Sequence, residues 1–177
     1  MKRFFTILGI ICPLWAGTSA LALVNPASQN CVDLGGTVQI YTDTASGQVG
    51  YCQLGQALVE EFSLYRGVVQ NQHVLALDAY FSTLGSGFSS PGGVNPASSY
   101  CGGMGGESRL LTDAQGGQIG ICRFSDKSEI EEFTLYRYTT DPRNIQFTNA
   151  LYDHYPYAGT GTGAGTGAGA PGAAGTA

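Results

Sequence analysis

NPASQNC, residues 25–31, returns as NPASSYC at residues 95–101. The offset of 70 persists from Cys31 and Cys101 to Cys52 and Cys122, so each copy sets its two cysteines 21 positions apart. VEEFSLYR (59–66) then reappears as IEEFTLYR (130–137) at an offset of 71, which places one inserted residue between Cys122 and Ile130, where a turn tolerates it. At the same offset DAYF (78–81) faces NALY (149–152), a weaker match that carries each unit past its helix into a further apolar segment. Repetition over this length marks a duplicated structural unit.

Within each copy Asn-Pro opens a helix: Asn25 or Asn95 caps the first turn and Pro26 or Pro96 occupies the first helical position, where a missing N–H costs nothing. Gly35-Gly36, and the glycines of CGGMGGE in the second copy, stop that helix early. TVQIYT (37–42) and QVGYCQ (48–53) read as strands around DTASG, and ESRLL and QIGICRF read likewise around TDAQGG, a β-hairpin in each copy. Leu58, Val59, Phe62 and Tyr65, and Ile130, Phe133 and Tyr136, fall at helical spacing and predict an amphipathic helix packed on the hairpin, with Ser128 and Glu131 as a capping box in the second copy. The expected fold class is α+β: two tandem small disulfide-stapled units, each a short helix, a β-hairpin and an amphipathic helix.

The chain divides accordingly into a signal peptide (1–22), a first unit (23–81), a Gly/Ser linker (82–94), a second unit (95–152) and a disordered Gly/Thr/Ala-rich tail (153–177), giving two small domains. Lys2 and Arg3 followed by the apolar run 4–15 and Ala20-Leu21-Ala22 have the form of an export signal. The apolar run is shorter than the ~20 residues a membrane span needs and contains Pro13. Bulky Ile10 and Ile11 argue against lipidation at Cys12. Removal of residues 1–22 leaves six basic and thirteen acidic side chains, a formal charge of −7. Such a surface repels phosphates, and no nucleic-acid partner is expected. Four cysteines remain, an even number suited to disulfides in an exported chain. Pairing Cys31 with Cys52 and Cys101 with Cys122 explains why the whole spacing was duplicated; crossed pairing between copies is the alternative. Each bridge stabilises a small unit by on the order of 3 kcal/mol.

Taken together, Asn-Pro-Ala-Ser-x-x-Cys, Gly-Gly, Gly-x-Cys and Glu-Glu-aromatic-x-Leu-Tyr-Arg resemble the small bacterial domain of unknown function numbered 333, whose members are often labelled hemolysins. The resemblance covers about residues 25–66 and 95–137 and implies export, with no established activity. The family usually carries a further cysteine before the acidic pair and a tryptophan after it; Val59 and Ile130 stand at the first position, Phe62 and Phe133 at the second.

No catalytic residue is expected. His73 and His154 lie outside the repeated motifs at positions that do not correspond, and G-x-S-x-G, H-E-x-x-H and P-loop patterns are absent from the sequence. The glycine-rich tail lacks the strand and helix that flank a dinucleotide loop, and no cofactor is expected. Cysteines a hairpin apart do not have zinc spacing, and no metal is expected. Adjacent glutamates point in different directions along a helix, so Glu60-Glu61 and Glu131-Glu132 are read as a solvated face, with one glutamate bonded to Arg66 or Arg137. Phe62, Tyr65, Phe133 and Tyr136 are read as core. Tyr152, Tyr155 and Tyr157 in LYDHYPY (151–157) form a candidate contact surface; the competing reading folds that segment back onto the second unit. These features point to a non-enzymatic binding or structural module of the envelope or secretome, with an unidentified protein or envelope partner. The other function classes are a membrane-active protein, although no segment suits a span, and a secreted protease inhibitor acting through a hairpin loop.

Overall fold

The computed structural model describes residues 25–43, 47–82 and 88–160. The segment expected to be an export signal (1–22) and residues 161–177 of the expected tail lie outside the described residues. The first unit runs α1 (Pro26–Asp33), β1 (Thr37–Asp43), β2 (Gly47–Leu54), β3 (Ala57–Glu60), α2 (Glu61–Val68) and α3 (Leu75–Phe81). The second repeats it as α4 (Pro96–Gly103), β4 (Glu107–Thr112), β5 (Gln118–Arg123), β6 (Glu129–Glu131), α5 (Glu132–Arg137), a 3-10 turn (Pro142–Asn144) and α6 (Ile145–His154). The expected order of helix, hairpin and helix is present twice. The side chains of Asn25 and Asn95 accept from the N–H groups of Ala27 and Ala97, capping α1 and α4 ahead of their prolines. Gly35 and Gly105 terminate these helices at φ 80° and 83°.

Each unit adds a third strand that helical spacing had concealed. Leu58 and Val59 are neighbours on β3: Leu58 lies opposite Gln53, Val59 opposite Cys52, and the two side chains take opposite faces of the sheet. The connection from β2 to β3 is a tight turn at Gly55 (φ 65°). In the second copy the inserted residue lengthens it to Ser125-Asp126-Lys127, and the last of these sits in the left-handed region at φ 66°. That is the three-residue hairpin solution, a turn closed by one αL residue.

The strands form one closed antiparallel barrel in the order β1-β2-β3-β6-β5-β4. Its two seams join the units at equivalent positions. Val59 faces Ile130, and Thr42 faces Thr112; these are partners at the repeat offsets of 71 and 70. A pseudo-two-fold axis therefore passes through both seams. Two further bonds obey it: Leu58 N–H donates to Thr134 Oγ1 at 3.0 Å and Glu129 N–H to Ser63 Oγ at 3.1 Å.

Strand alternation divides the apolar residues between two cores. Tyr51, Leu58, Leu111 and Ile121 fill the barrel, flanked by Tyr41, Val49 and Ile119. Cys52, Leu54, Val59, Cys122 and Ile130 face outward into a larger core beneath the helices, which draws on both units. The units are thus halves of one barrel domain, which corrects the expectation of two small domains. The physical reason is that each half leaves the edges of its first and third strands unpaired, and closure satisfies them.

α3 and α6 occupy the weakly matching extensions. Their buried residues correspond, Ala76, Leu77 and Tyr80 against Phe147, Thr148 and Leu151, and Tyr80 Oη lies 2.7 Å from Thr148 Oγ1. Burial, with partial relief from Thr148, pushes the Tyr80 phenol up to about 12. The second unit does not end at residue 152. Tyr155 is 2% exposed in the main core, so the segment after α6 folds back and order extends into the expected tail.

Candidate functional site

The repeated motif converges on two buried carboxylates. Glu61 Oε1 accepts from Asn25 Nδ2 at 2.7 Å and Oε2 from the Ser28 hydroxyl at 2.6 Å. In the second unit Ser98 donates to Glu132 Oε2 at 2.6 Å, while Glu132 Oε1 is buried without a hydrogen-bond partner in the described structure. Gly50 and Gly120 of the Gly-x-Cys motifs leave room for these carboxylates: a Cβ would lie 2.6 Å from Glu61 Cδ and 2.4 Å from Glu132 Oε2. Gly36 and Gly106 likewise lie against the disulfides, where a Cβ would approach a sulfur at 2.8 and 2.3 Å. The motif is a folding device in which one end of the unit recognises the other.

The preceding glutamates have a different task. Glu60 accepts from Phe62 N–H, Ser63 N–H and the Ser63 hydroxyl, and Glu131 from the equivalent groups of Phe133 and Thr134. They cap α2 and α5. Burial pushes the Glu60 carboxyl up, against the bonds from Ser63 and Phe62. The solvated acidic face is therefore corrected: Glu61 and Glu132 are 5% and 1% exposed, and the tertiary fold supplies donors that spacing alone does not reveal. The Ser128–Glu131 capping box is also replaced, because Ser128 is buried and accepts from Ala76 N–H at 2.9 Å. Arg66 donates to the Asp126 carbonyl at 3.5 Å, and Arg137 lies 5.3 Å from the centre of the Phe133 ring. Neither is paired with the glutamates of its own helix in the described structure.

Both disulfides form within a copy, Cys31–Cys52 and Cys101–Cys122. All four cysteines are fully buried. Such bonds are compatible with an extracellular location. Of the proposed tyrosine surface, only Tyr152 is well exposed; Tyr155 belongs to the core and Tyr157 packs against it. Phe62 and Phe133, expected in the core, are 47% and 38% exposed. They adjoin the helix faces that bury Glu61, Leu64, Glu132 and Leu135 instead. His73 stacks on Tyr157 with ring centres 3.5 Å apart, beside Asp78, and His154 ends α6. No group of three His, Cys, Asp or Glu is placed to hold a metal, and no helix is long and apolar enough to cross a membrane, among the described residues.

Two of the concave places on the described surface are related to each other. One cleft, about 280 Å³, is lined by Leu58, Gln56, Ile119, Glu131 and Arg137, with Tyr41 and Gln53. The other, about 350 Å³, is lined by Glu129, Lys127, Val49, Glu60 and Arg66, with Phe62 and Asp126. The first five of each set correspond under the repeat offsets. Each cleft is built between the capped helix of one unit and the turn before the third strand of the other.

The clefts have diverged where Leu58 and Gln56 are replaced by Glu129 and Lys127. Glu129 is held by the Tyr51 hydroxyl, by Arg109 at 2.9 Å and by Arg123 at 3.5 Å, while Arg109 also pairs with Asp43. Burial, and then the neighbouring Glu129 charge, hold the Tyr51 phenol far above its ordinary range, so it remains a donor. Sequence reasoning missed this network because its members lie on β1, β2, β4, β5 and β6. The only local signal was Arg109 sharing strand parity with buried Leu111.

A family model described as Domain of unknown function (DUF333) matches residues 22–68 and 92–139, together more than half of the chain. No curated protein and no solved structure matches it.

Proposed function

The chain belongs to the DUF333 family, and from that premise we propose that it is an exported, non-enzymatic binding or structural module of the cell envelope or secretome. It presents its two related clefts to one protein or envelope partner. The observation that carries this reading is the pairing of the clefts: the duplicated motif is consumed in folding, whereas the duplicated concave surface faces outward with an exposed phenylalanine at Phe62 and another beneath Arg137. Two linked weak sites gain avidity without new chemistry. Export is supported by the residue pattern of 1–22 and by two buried disulfides. The absence of an enzyme role is supported by the histidines, one stacked on tyrosine and one at a helix end, neither of which lines these two clefts.

The test is capture of envelope components by the chain 23–177, comparing Phe62→Ala, Phe133→Ala and the double variant. Each single change is expected to weaken retention and the double change to abolish most of it. Retention unaffected by the double change, with the variant folded, overturns the assignment to the clefts. Dye release from liposomes by the same preparation would favour membrane activity.

A further inference from the structure

We infer that the chain carries a further binding site, for an acidic peptide segment, in the cleft between the end of α4 and the β5–β6 turn. This cleft, about 360 Å³, has Gly105, Glu107, Arg123, Ser125 and Lys127 in its lining; ligand sites commonly span ~300–1,000 Å³. The first unit has the same cradle, and there the protein fills it with its own side chain. Gln146 of α6 donates to the Gly35 carbonyl at 3.1 Å, and a Cβ on Gly35 would lie 3.5 Å from that amide. A Cβ on Gly55, in the β2–β3 turn, would meet Gln146 Cβ at 3.6 Å. Under the repeat offsets Gly35 corresponds to Gly105, and Gln146 to Leu75 of α3. α3 docks on the β5–β6 turn through Asp126 and Ser128, but Leu75 has no amide to offer and is 40% exposed. A Cβ on Gly105 would meet nothing within 4 Å. The second cradle is open where the first is plugged.

The rim has changed along with the plug. Thr37, Gln53 and Gln56 of the first unit are Glu107, Arg123 and Lys127 in the second. Arg123 is held to Glu129 through Nε at 3.5 Å, and its terminal nitrogens have no hydrogen bond or ion pair among the described residues. Lys127 is exposed, and its ammonium has no ion-pair partner among the described residues. Two such cations attract a carboxylate, which the planar fork of an arginine matches. Glu107 and the Gly105 carbonyl ask for the opposite, a donor, the part that Gln146 plays toward Gly35. A phosphate ion brings only negative charge and meets Glu107 unfavourably. A peptide carrying aspartate or glutamate brings both groups: a carboxylate for Arg123 and Lys127, and backbone N–H groups for Gly105 and Glu107. The plugged first cradle shows that this surface seats a polypeptide side chain. Gly105, Glu107 and Arg123 line neither of the paired clefts, and only Lys127 is shared with the second. The inference therefore does not rest on the partner of those clefts.

The experiment titrates the isotope-labelled chain 23–177 at low salt with a terminally blocked tetraglutamate peptide and follows backbone amide NMR shifts. Saturable shifts are expected at Gly105–Glu107 and Arg123–Lys127, with affinity that falls as salt is added. Arg123→Gln and Lys127→Gly are each expected to raise the dissociation constant about tenfold. Glycine suits the left-handed φ of 66° at position 127, so the second variant removes the charge while keeping the turn, and unchanged amide positions elsewhere check the fold. Blocked tetraglutamine, which lacks the carboxylates, and inorganic phosphate, which lacks the donors, are expected to bind several-fold more weakly, as is free glutamate. Equal affinity for any of these three overturns the assignment to an acidic peptide. Shifts that do not saturate, that survive both substitutions, or that centre on the paired clefts overturn the site itself. Phe62→Ala with Phe133→Ala is expected to leave this titration unchanged, so the two sites can fail separately.

Discussion

Glu61 and Glu132 show how a motif that looks like surface chemistry can be internal architecture. Each carboxylate reaches back to a serine in the opening helix, and in the first unit to the capping asparagine as well. The bonds are charge-assisted, which makes them stronger than neutral ones and costly to disturb. Gly50 is small because Glu61 packs over it. Gly50→Ala is expected to lower stability by about 1–3 kcal/mol, the usual cost of overpacking a fixed neighbour. The check is the urea midpoint against Gly92→Ala, whose Cβ would meet nothing within 4 Å and whose substitution should leave the midpoint unchanged.

The turn between β5 and β6 acts as the N-terminal cap of a helix in the other unit. α3 has no side-chain cap of its own; Asp126 supplies one at Leu75 and also binds the N–H and hydroxyl of Ser128. Burial raises the Asp126 carboxyl, but the bonds from Ser128 and Leu75 outweigh it and hold the group below its ordinary 3.8. A carboxylate with a lowered folded value stabilises the fold above its unfolded value and loses that contribution as pH falls through the folded one. The folded protein should therefore lose stability as pH drops below about 4, and Asp126→Asn should flatten that slope. Urea titrations at a series of acidic pH values would read the difference; identical slopes would show that the contact contributes nothing.

Closure of the barrel couples the two units into one structure. Both cores draw on both halves, and every strand has neighbours on two sides. The expected consequence is a single unfolding transition, with calorimetric and van't Hoff enthalpies equal. Replacing Cys31 and Cys52 together with serine, which removes a bridge worth on the order of 3 kcal/mol, should lower that one transition throughout. Two resolved transitions, only one of them displaced, would mean that the halves fold independently.

Much of the local structure was legible because it rests on short-range constraints. Asn25-Pro26 and Asn95-Pro96 announce helix starts, Gly35 and Gly105 their stops, and the alternating runs around DTASG and TDAQGG announce hairpins. The 21-residue cysteine spacing, repeated intact, carried the disulfide pairing. The third strand was not legible: four residues of β3 and three of β6 are too few to establish a period, and Leu58 and Val59 fit a helix equally well until strand partners assign them to opposite faces. The exposure of Phe62, the burial of Tyr155 and the assembly of the clefts depend on contacts between residues tens of positions apart. By itself, the sequence determined that this protein is a duplicated, disulfide-stapled α+β chain, because turns, caps and cysteine spacing act locally. Only the tertiary structure decided that the copies are halves of one barrel, because strand edges find their partners by closing in space, and no local pattern records which edge will meet which.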